Sequence, residues 1–482
     1  MEKNEKVIGN FMWRFLERIG AQGVTLIVSI VLARLLDPSA YGTIALVTVF
    51  TSILLVFIDS GLGTSLIQKK DADDLDFSSV FFFNLGMCIL LYVGLFFAAP
   101  LIADFYELPE LTAIVRVLGF TIVISGVKNI QQAYVSRNML FKKFFFATIG
   151  GTIGAAIVGI TMAYLGYGIW ALVAQHLFNS IASTLILWFV IKWRPKRMFS
   201  FERLKRLLGF GSRLLGVSLI TTIYNDLRQI LIGKLYTTTD LAFYNKGQQF
   251  PSLFDTNINS SIDSVLLPTM SREQDDVAAV KAITRRSIKT STYIMAPILI
   301  GLAMCGEAFI ELLLTEKWLP CVPYMRIFCI TYIFTPMFTA NYNAYKALGR
   351  SDLYLKVSIV SKIFGLIILL LTIPHGVMVM AYGLLVGNFI SQLVCTFPNR
   401  KLLKYNYVEQ LVDILPNLAL AAVMGVAVYA VKWFGLGALA TLAIQISLGV
   451  AVYVLGSMLF KLESYRYVLG VLKNFLNRRK KV

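Results

Sequence analysis

Residues 221–233 read TTIYNDLRQILIG, and the stretches on both sides of them, 214–220 and 234–236, are almost wholly apolar. A helix needs about 20 mostly apolar residues to cross a bilayer, and this region is long enough. Near its middle lie four polar or charged side chains: Asn225, Asp226, Arg228 and Gln229. A charge at the bilayer centre costs about 2.5–3.5 kcal/mol on insertion scales, so these side chains require a polar surrounding.

The composition of the chain is that of an integral membrane protein. Hydrophobic residues make up 57% of the 482 residues, charged residues only 15%, and the mean hydropathy is +0.71. Soluble domains have roughly 45–50% apolar and about 25% charged residues. The start, MEKNEKVIGNFMWRFLER, has charges on both sides of its first apolar residues and no small-residue cleavage site, so we expect a retained first helix.

Hydropathy predicts an all-α polytopic membrane protein with about fourteen transmembrane helices. The predicted spans are 14–36, 43–66, 79–103, 111–135, 145–165, 168–191, 211–233, 241–268, 289–314, 321–345, 354–373, 376–397, 411–432 and 437–459. Several are separated by only a few residues, which predicts tight helical hairpins.

The basic stretch 192–210 is the largest shift in composition along the chain. We expect an N-terminal six-helix lobe at 1–191, an amphipathic cytoplasmic linker at 192–210 and a C-terminal six-helix lobe at 211–400. Residues 401–482 are expected to form two extra transmembrane helices and a basic cytoplasmic tail. Short sequence echoes recur in the same order on both sides of the linker, as in a duplicated transporter fold.

Basic residues in the loops and at the ends of the predicted spans fall almost entirely on one side of the membrane. Loops on the side of the termini hold 35 of them, whereas the opposite loops hold four: Arg34, Lys234, Lys317 and Lys432. Cytoplasmic loops are enriched in Lys and Arg, so both termini are predicted to be cytoplasmic. This distribution accounts for the net charge of +18 without a nucleic-acid partner.

Six basic residues remain inside the predicted spans: Arg116, Lys128, Arg228, Lys246, Arg326 and Lys362. If all six faced lipid, the cost would be roughly 15–21 kcal/mol, more than the ~5–15 kcal/mol net stability of a typical domain. They must therefore face water or opposite charge.

Polar residues at helical spacing predict which helix faces are polar. Four predicted helices, two in each lobe, carry such stripes: Arg14, Arg18, Gln22, Thr25 and Ser29; Thr121, Ser125, Lys128 and Gln132; Ser218, Thr221, Asn225 and Gln229; Gln248, Ser252, Asp255, Asn259 and Asp263. The stripes predict one hydrated cavity between the lobes, and its surplus of cations suits an anionic substrate. The alternative is that the charges pair across helices only to fix packing.

No motif for catalysis or metal binding is visible. The sequence has no GxxxxGK[ST] phosphate loop, no Ser/His/Asp or HExxH set, and no loop long enough for a soluble catalytic domain. The five cysteines are scattered, and His176 and His375 are far apart and lack metal-ligand spacing. We therefore expect a carrier without a cofactor, not an enzyme.

Eight stretches carry a resemblance to a known family, in family order over residues of about 10–360. They are FLERIGAQGVTLIVSIVLARLLDPSAYG (15–42), FIDSGLGTSLIQKKD (57–71), APLIADFY (99–106), SRNMLFKK (136–143), LGYGIWALV (165–173), LPTMSREQDD (267–276), TEKWLP (315–320) and ALGRSD (347–352). In these the chain resembles the Wzx-type O-antigen and exopolysaccharide flippases, the polysaccharide transporter (PST) family of the MOP superfamily. The resemblance implies a two-lobed MATE/MOP-like fold, similar to multidrug and toxin extruders and the lipid II flippase.

The resemblance also implies a substrate. This is an undecaprenyl-diphosphate-linked oligosaccharide (an O-antigen, capsule or exopolysaccharide repeat unit), turned from the inner to the outer leaflet of the bacterial inner membrane by alternating access. Membrane lipids and the polysaccharide polymerase machinery are the other expected partners.

Functional roles follow from the resemblance by residue type. The cations expected to bind substrate are Arg18, Arg116, Lys128, Arg228 and Lys246. Coupling to H+ or Na+ is expected to use one of Asp59, Asp226, Asp255 and Asp263. The residues expected to line the cavity are Arg14, Gln22, Thr25, Gln132, Asn225, Gln229, Gln248 and Asn259.

Three other functions fit parts of the pattern. A multidrug antiporter would move organic cations, for which surplus acid in the cavity is expected instead of surplus base. A lipid II flippase carries a chemically similar substrate. A membrane glycosyl polymerase or ligase usually needs a large periplasmic loop, and the outer loops of this chain are short.

Overall fold

The computed structural model describes residues 2–59, 62–69 and 71–479. It describes the side chains of these residues except at positions 2–12, 14, 15, 18, 19, 59, 206, 208–214, 471, 472 and 474–479. Within the described ranges the secondary structure is helical, with no strand. The all-α fold class is therefore confirmed.

The helices follow one another with short connections. They are α1 (Glu2–Leu35), α2 (Pro38–Asp59), α3 (Leu62–Gln68), α4 (Asp74–Tyr106), α5 (Leu111–Arg137), α6 (Phe141–Tyr164), α7 (Ile169–Val190), α8 (Phe201–Leu235), α9 (Thr238–Arg272), α10 (Val277–Met304), α11 (Gly306–Leu314), α12 (Val322–Ile333), α13 (Thr335–Ala347), α14 (Ser351–Thr372), α15 (Val377–Thr396), α16 (Asn399–Leu402), α17 (Tyr407–Ala430), α18 (Ala438–Leu459) and α19 (Glu463–Arg479). Short 3-10 turns lie at Glu316–Cys321, Ile373–His375 and Val431–Phe434.

The helices match the predicted membrane spans closely. In the described part of the chain, eleven helical segments are long and apolar enough to cross a membrane. Three further long helices, α1, α8 and α9, lie at the predicted spans 14–36, 211–233 and 241–268 and carry predicted polar stripes. Together these elements are consistent with the predicted fourteen spans of a multi-pass membrane protein.

Two predicted spans are broken. The span 289–314 consists of the second half of α10 and of α11, and the span 321–345 consists of a 3-10 turn, α12 and α13. The break before α13 has a local cause, because Pro336 lies in the first turn of α13 and has no N–H to continue the hydrogen bonding of α12. A hydropathy window averages over such breaks.

The chain packs as two compact units, Met1–Ala242 and Phe243–Val482. This boundary differs from the predicted one at 192–210, because α8 packs against α2, α3 and α4 within the first unit. Hydropathy identifies α8 as a helix but does not show which neighbours it contacts. In the first unit α6 also packs on α1 and α7, and in the second unit α10 packs on α12 and α17 while α14 packs on α15.

The segment predicted as an amphipathic linker is held on the first unit. Residues 191–200 are not helical. The indole N–H of Trp193 donates to Asp74 Oδ1 (3.1 Å), and its ring stacks on Tyr134. Lys196 Nζ lies 2.6 Å from Asp74 Oδ2. The aromatic and basic side chains of this segment therefore have partners on α4 and α5, so it is not a free connector.

The carboxylates at the start of α4 extend this attachment to α8. Asp73 caps α4 by accepting the backbone N–H of Asp76 (3.0 Å), and Arg203 Nη1 lies 2.6 Å from Asp73 Oδ2. The backbone N–H of Asp76, together with Arg203, lowers the pKa of Asp73 to about 2. Asp76 is fully buried and pairs with Lys69 Nζ at 2.6 Å. The acidic start of α4 thus binds the basic residues that precede the spanning part of α8.

Gly151 allows α6 to lie close to α7. A Cβ added at this position would lie 2.7 Å from the Cβ of Ser183 and 2.9 Å from its Cα and N atoms. Because two of these atoms belong to the backbone of α7, a rotamer change would not remove the clash.

We expect Gly151→Ala to destabilise the first unit, since overpacking typically costs about 1–3 kcal/mol. Gly86→Ala is the matched control, because Gly86 also lies inside a long helix and its added Cβ would have nothing within 4 Å. Thermal unfolding in detergent should give a lower midpoint for Gly151→Ala than for Gly86→Ala. Equal midpoints would contradict this account of the α6–α7 contact.

Candidate functional site

Helix α5 carries two of the predicted intramembrane cations, and both bind neutral groups. Arg116 Nε donates to the carbonyl oxygen of Phe96 (3.2 Å), and its guanidinium carbon lies 4.3 Å from the centre of the Phe96 ring. Lys128 Nζ donates to Ser183 Oγ on α7 (2.9 Å) and interacts electrostatically with the buried Glu17 on α1. These contacts orient both cations, and in the described part of the chain Arg116 has no carboxylate at ion-pair distance.

Helix α8 contains the stretch 221–233 with its two charged residues, Asp226 and Arg228. Ser52 Oγ on α2 donates to Asp226 Oδ2 (2.7 Å). The Nε atom of Arg228 is buried and has no hydrogen-bond partner among the described residues. Asn225 is exposed and Gln229 is half-buried. The middle of α8 therefore presents a cation whose hydrogen-bonding capacity is only partly used.

Arg326 shows the alternative arrangement. Its Nη2 atom lies 3.1 Å from Glu307 Oε1, and Lys432 Nζ contacts the other oxygen of the same carboxylate. This charge is paired, as the packing interpretation expects. In the part of the chain that the structure describes, Arg116 and Arg228 have no such ion pair.

In the second unit, the polar stripe of α9 binds a matching stripe on α13. Asn259 Nδ2 donates to Asp255 Oδ1 (2.6 Å), and Thr339 Oγ1 donates to Asn259 Oδ1 (3.3 Å). One turn further, Asn343 Nδ2 donates to Asp263 Oδ1 (2.7 Å). The predicted α9 residues are therefore brought together through hydrogen bonds to α13.

Sequence reasoning missed the α13 partners of this stripe. Thr335, whose side chain also hydrogen-bonds Asp255, is followed by Thr339 and Asn343 at intervals of four residues. The same helical spacing identified the other stripes. Treating 321–345 as one apolar span hides this short face, because α13 begins anew after α12 and is only three to four turns long.

Lys246 lies deep in the second unit, with 5% of its surface exposed. Its Nζ atom donates to Gln249 Oε1 (3.0 Å) and lies 5.4 Å from the centre of the Trp318 ring, within cation–π range. On the same helix Gln248 Nε2 donates to Tyr332 OH (2.8 Å). Lys246 thus contacts a neutral amide and an aromatic ring.

For several residues the predicted role at the cavity stays a prediction. The side chains of Arg14, Arg18 and Asp59 lie outside the described residues. Gln22 and Gln132 are half-buried and Thr25 is exposed. The predicted cations and acids are distributed over both units, and a cavity common to them remains a prediction.

A cavity of about 490 Å³ lies in the second unit among α9, α10, α11, α17 and α18. Its lining is mainly apolar and includes Phe254, Gly301, Phe309, Met424, Ile446 and Val450. Phe254 directly precedes Asp255, so the apolar cavity lies at the same level along α9 as this residue of the polar stripe. The sequence gives no signal for this cavity, because α17 and α18 look like any other apolar span.

Metal ligands are not clustered in the described residues. No group of three or more His, Cys, Asp and Glu side chains there could hold a metal ion. The five cysteines are buried and not disulfide-bonded. The chemistry available at the site is therefore that of charges, hydrogen bonds and an apolar surface.

A family model described as "Polysaccharide biosynthesis protein" matches residues 31–323, more than half of the chain. The chain belongs to this family. The matched region contains the charged helices α5 and α8 and the polar stripe of α9. Membership confirms the resemblance found in the sequence.

Relatives of the chain are similar over most of their length. It is 26% identical over 418 residues to the teichuronic acid biosynthesis protein TuaB of Bacillus subtilis, covering 84% of this chain and 85% of that one. It is 24% identical to the succinoglycan biosynthesis transport protein ExoT of Rhizobium meliloti, covering 69% and 68%. It is 23% identical to the lipopolysaccharide biosynthesis protein WzxC of Escherichia coli, covering 82% and 80%.

Solved structures confirm the predicted MATE/MOP-like fold. The lipid II flippase MurJ, in an inward closed conformation, superposes with a TM-score of 0.77 at 15% identity and covers 96% of this chain and 100% of that one. A multidrug resistance MATE family transporter of the MOP superfamily, in an inward-facing conformation, gives a TM-score of 0.62 at 14% identity and covers 79% and 94%. At such identities the likeness shows the fold alone.

Proposed function

We propose that the protein is a flippase that moves an undecaprenyl-diphosphate-linked oligosaccharide from the inner to the outer leaflet of the bacterial inner membrane. The observation that carries this proposal is the pair of intramembrane arginines, Arg116 and Arg228, that have no carboxylate at ion-pair distance among the described residues. Intramembrane ionisable residues generally mark a substrate or ion pathway.

The chemistry of arginine fits a diphosphate. A guanidinium group offers five donors in a planar fork and can bind phosphate oxygens through two parallel hydrogen bonds. Arg228 has a buried Nε with no partner of its own among the described groups, so donors remain for a ligand. Lys128 and Lys246, each of which donates a hydrogen bond to a neutral side chain, are two further cations predicted to bind substrate.

The names of the relatives support a glycan as cargo. They are named for teichuronic acid biosynthesis, succinoglycan biosynthesis transport and lipopolysaccharide biosynthesis. Each name refers to the production or transport of a polysaccharide. The protein would act as a carrier that leaves covalent bonds unchanged. The polymer-forming machinery would take up the unit after translocation.

The apolar cavity among α9, α10, α17 and α18 suits the polyprenyl tail. Its volume of about 490 Å³ is that of an extended ligand pocket, and its lining is mainly apolar. Because Phe254 of the lining is adjacent to Asp255, a tail in this cavity would leave its head group near the polar stripe of α9. The tail would thus remain in an apolar environment while the head group is bound.

Ion coupling is assigned to a carboxylate held by neutral donors. Asp255 accepts hydrogen bonds from Asn259 and Thr335, and no cation pairs with it among the described residues. Asp226 is held similarly by Ser52. A carboxylate whose charge is not neutralised by the protein can bind H+ or Na+ when the cavity is open to one side. Alternating access would then depend on occupancy of this site.

Both termini would lie in the cytoplasm. The segment 193–203 is tied to the start of α4 by ion pairs of Lys196 with Asp74 and of Arg203 with Asp73. Its basic residues remain on the side that the distribution of Lys and Arg assigns to the cytoplasm.

Removing the charge of Arg228 tests the diphosphate site. We expect Arg228→Gln to lower flipping of a lipid-linked oligosaccharide in proteoliposomes by roughly ten- to a hundredfold, since charged hydrogen bonds contribute about 1.5–3 kcal/mol. Lys234→Gln is the matched control, because Lys234 is on the same helix and pairs with the exposed Glu107. Unchanged flipping in Arg228→Gln would remove that residue from the site, and equal transport of lipid II by the wild-type chain would favour the lipid II flippase function.

Filling the apolar cavity tests the tail site. A Cβ at Gly301 would meet only the terminal carbon of Met424 at 3.9 Å, so Gly301→Leu should fold and occupy the cavity. We expect it to slow flipping of undecaprenyl-linked substrate several-fold more than flipping of an analogue with a short prenyl chain. Gly86→Leu, in open space on α4, is the control. An equal effect on both substrates would contradict the assignment.

Neutralising Asp255 tests ion coupling. We expect Asp255→Asn to make flipping in proteoliposomes insensitive to imposed proton and sodium gradients, because the amide keeps the shape but takes up no proton and has no negative charge to attract Na+. Asp275→Asn, in the turn after α9, is the control and should keep the wild-type response. If Asp255→Asn keeps the response to the gradients and Asp226→Asn loses that response, the residue that binds the coupled ion is Asp226. Wild-type flipping that ignores both gradients would rule out antiport.

A further inference from the structure

A second cavity, of about 650 Å³, lies in the second unit between α14 and the end of α15 with α16. Its walls are formed by Leu353, Val357, Val360, Val394 and Phe397. None of these residues belongs to the polar stripes or to the apolar cavity described above. The cavity therefore has no role in the proposed translocation path.

Three cations surround the mouth of this cavity: Arg350, Lys356 and Lys401. Arg350 makes two hydrogen bonds of 2.9 Å to the oxygens of Asp352. Lys356 and Lys401 are exposed, and among the described residues neither forms an ion pair. With Asp352 counted, the mouth keeps two uncompensated positive charges.

The start of α14 adds to this positive potential. Arg350 precedes the first residue of α14 and makes no side-chain cap, while the carboxylate of Asp352 accepts backbone N–H groups of this first turn. The N-terminus of a helix favours anions through these groups and the helix dipole. This turn belongs to the stretch ALGRSD (347–352), which carried part of the family resemblance and which the proposed flippase site does not use.

The cavity opens on the surface that faces the bilayer. Side chains of α14 and α15 beside it are apolar and exposed, with Leu355 58% and Phe397 73% accessible. The basic mouth lies at the end of the unit where α14 begins and α15 ends. That end holds the basic loops of the unit, so the mouth is at the level of the head groups while the walls are at the level of the acyl chains.

We propose that this cavity binds an anionic phospholipid of the surrounding membrane. Its phosphate contacts Lys356, Lys401 and Arg350, and an acyl chain lies along Val357 and Val360. Charge complementarity selects this occupant, because a zwitterionic lipid would bring its own cation to a mouth that already has surplus positive charge. Basic pockets between transmembrane helices on the cytoplasmic side are known to bind anionic head groups.

The test uses the purified full-length chain in detergent, titrated with phosphatidylglycerol or phosphatidylcholine and analysed by native mass spectrometry. We expect the first phosphatidylglycerol to bind at least about tenfold more tightly than phosphatidylcholine, and this preference to be lost in the triple variant Arg350→Ala, Lys356→Ala, Lys401→Ala. The control triple Arg272→Ala, Lys461→Ala, Arg466→Ala removes the same charge from exposed positions outside the cavity lining. It should keep the preference.

A second variant separates the cavity from general attraction between charges. Val360→Trp fills the apolar wall without altering charge and should weaken phosphatidylglycerol binding several-fold. Equal loss in both triple variants, or no loss in Val360→Trp, would overturn the proposal. Displacement of the lipid by millimolar inorganic phosphate would assign the site to free phosphate, and displacement by equimolar undecaprenyl diphosphate would assign it to substrate; either result would also overturn it.

Discussion

The structure depends on the free-energy cost of a charge inside a bilayer. Such a charge must have water, an opposite charge or a bound ion close by, because the hydrocarbon supplies none of these. The chain meets the requirement in two ways. Arg326 is neutralised by Glu307, which makes it part of the packing. Arg116 and Asp255 are instead oriented by neutral hydrogen-bonding groups, and the buried Nε atom of Arg228 has no hydrogen-bond partner among the described residues.

The difference between these two solutions has a functional meaning. A neutral donor or acceptor fixes the direction of a charged side chain, yet it leaves the net charge in place. A site built in this way keeps its affinity for a ligand of opposite charge. Its charged side chain is also held in a fixed direction before the ligand binds, as preorganised binding requires. In the proposed mechanism the arginines of the first unit would bind an anionic head group, and Asp255 of the second unit would bind a small cation.

Hydropathy was sufficient to predict most of the fold. The predicted spans 168–191 and 437–459 end within one residue of α7 and α18, because long apolar runs with short polar connections leave little freedom. The partners of each helix were not predictable, since an apolar face carries no information on its neighbour. For this reason the sequence placed α8 after the boundary between units and missed both Asn343 and the cavity beside α17 and α18. The polar stripe of α9 was found because helical spacing is a local property.

The attachment of residues 193–203 to α4 and α5 has a consequence for biogenesis. Every partner of Trp193, Lys196 and Arg203 in this contact precedes them in the chain, so each is already inserted when these residues leave the ribosome. Domains generally fold from the N-terminal end during synthesis. The acidic start of α4 is therefore available to pair with the basic segment as soon as that segment is synthesised, before the second unit is translated.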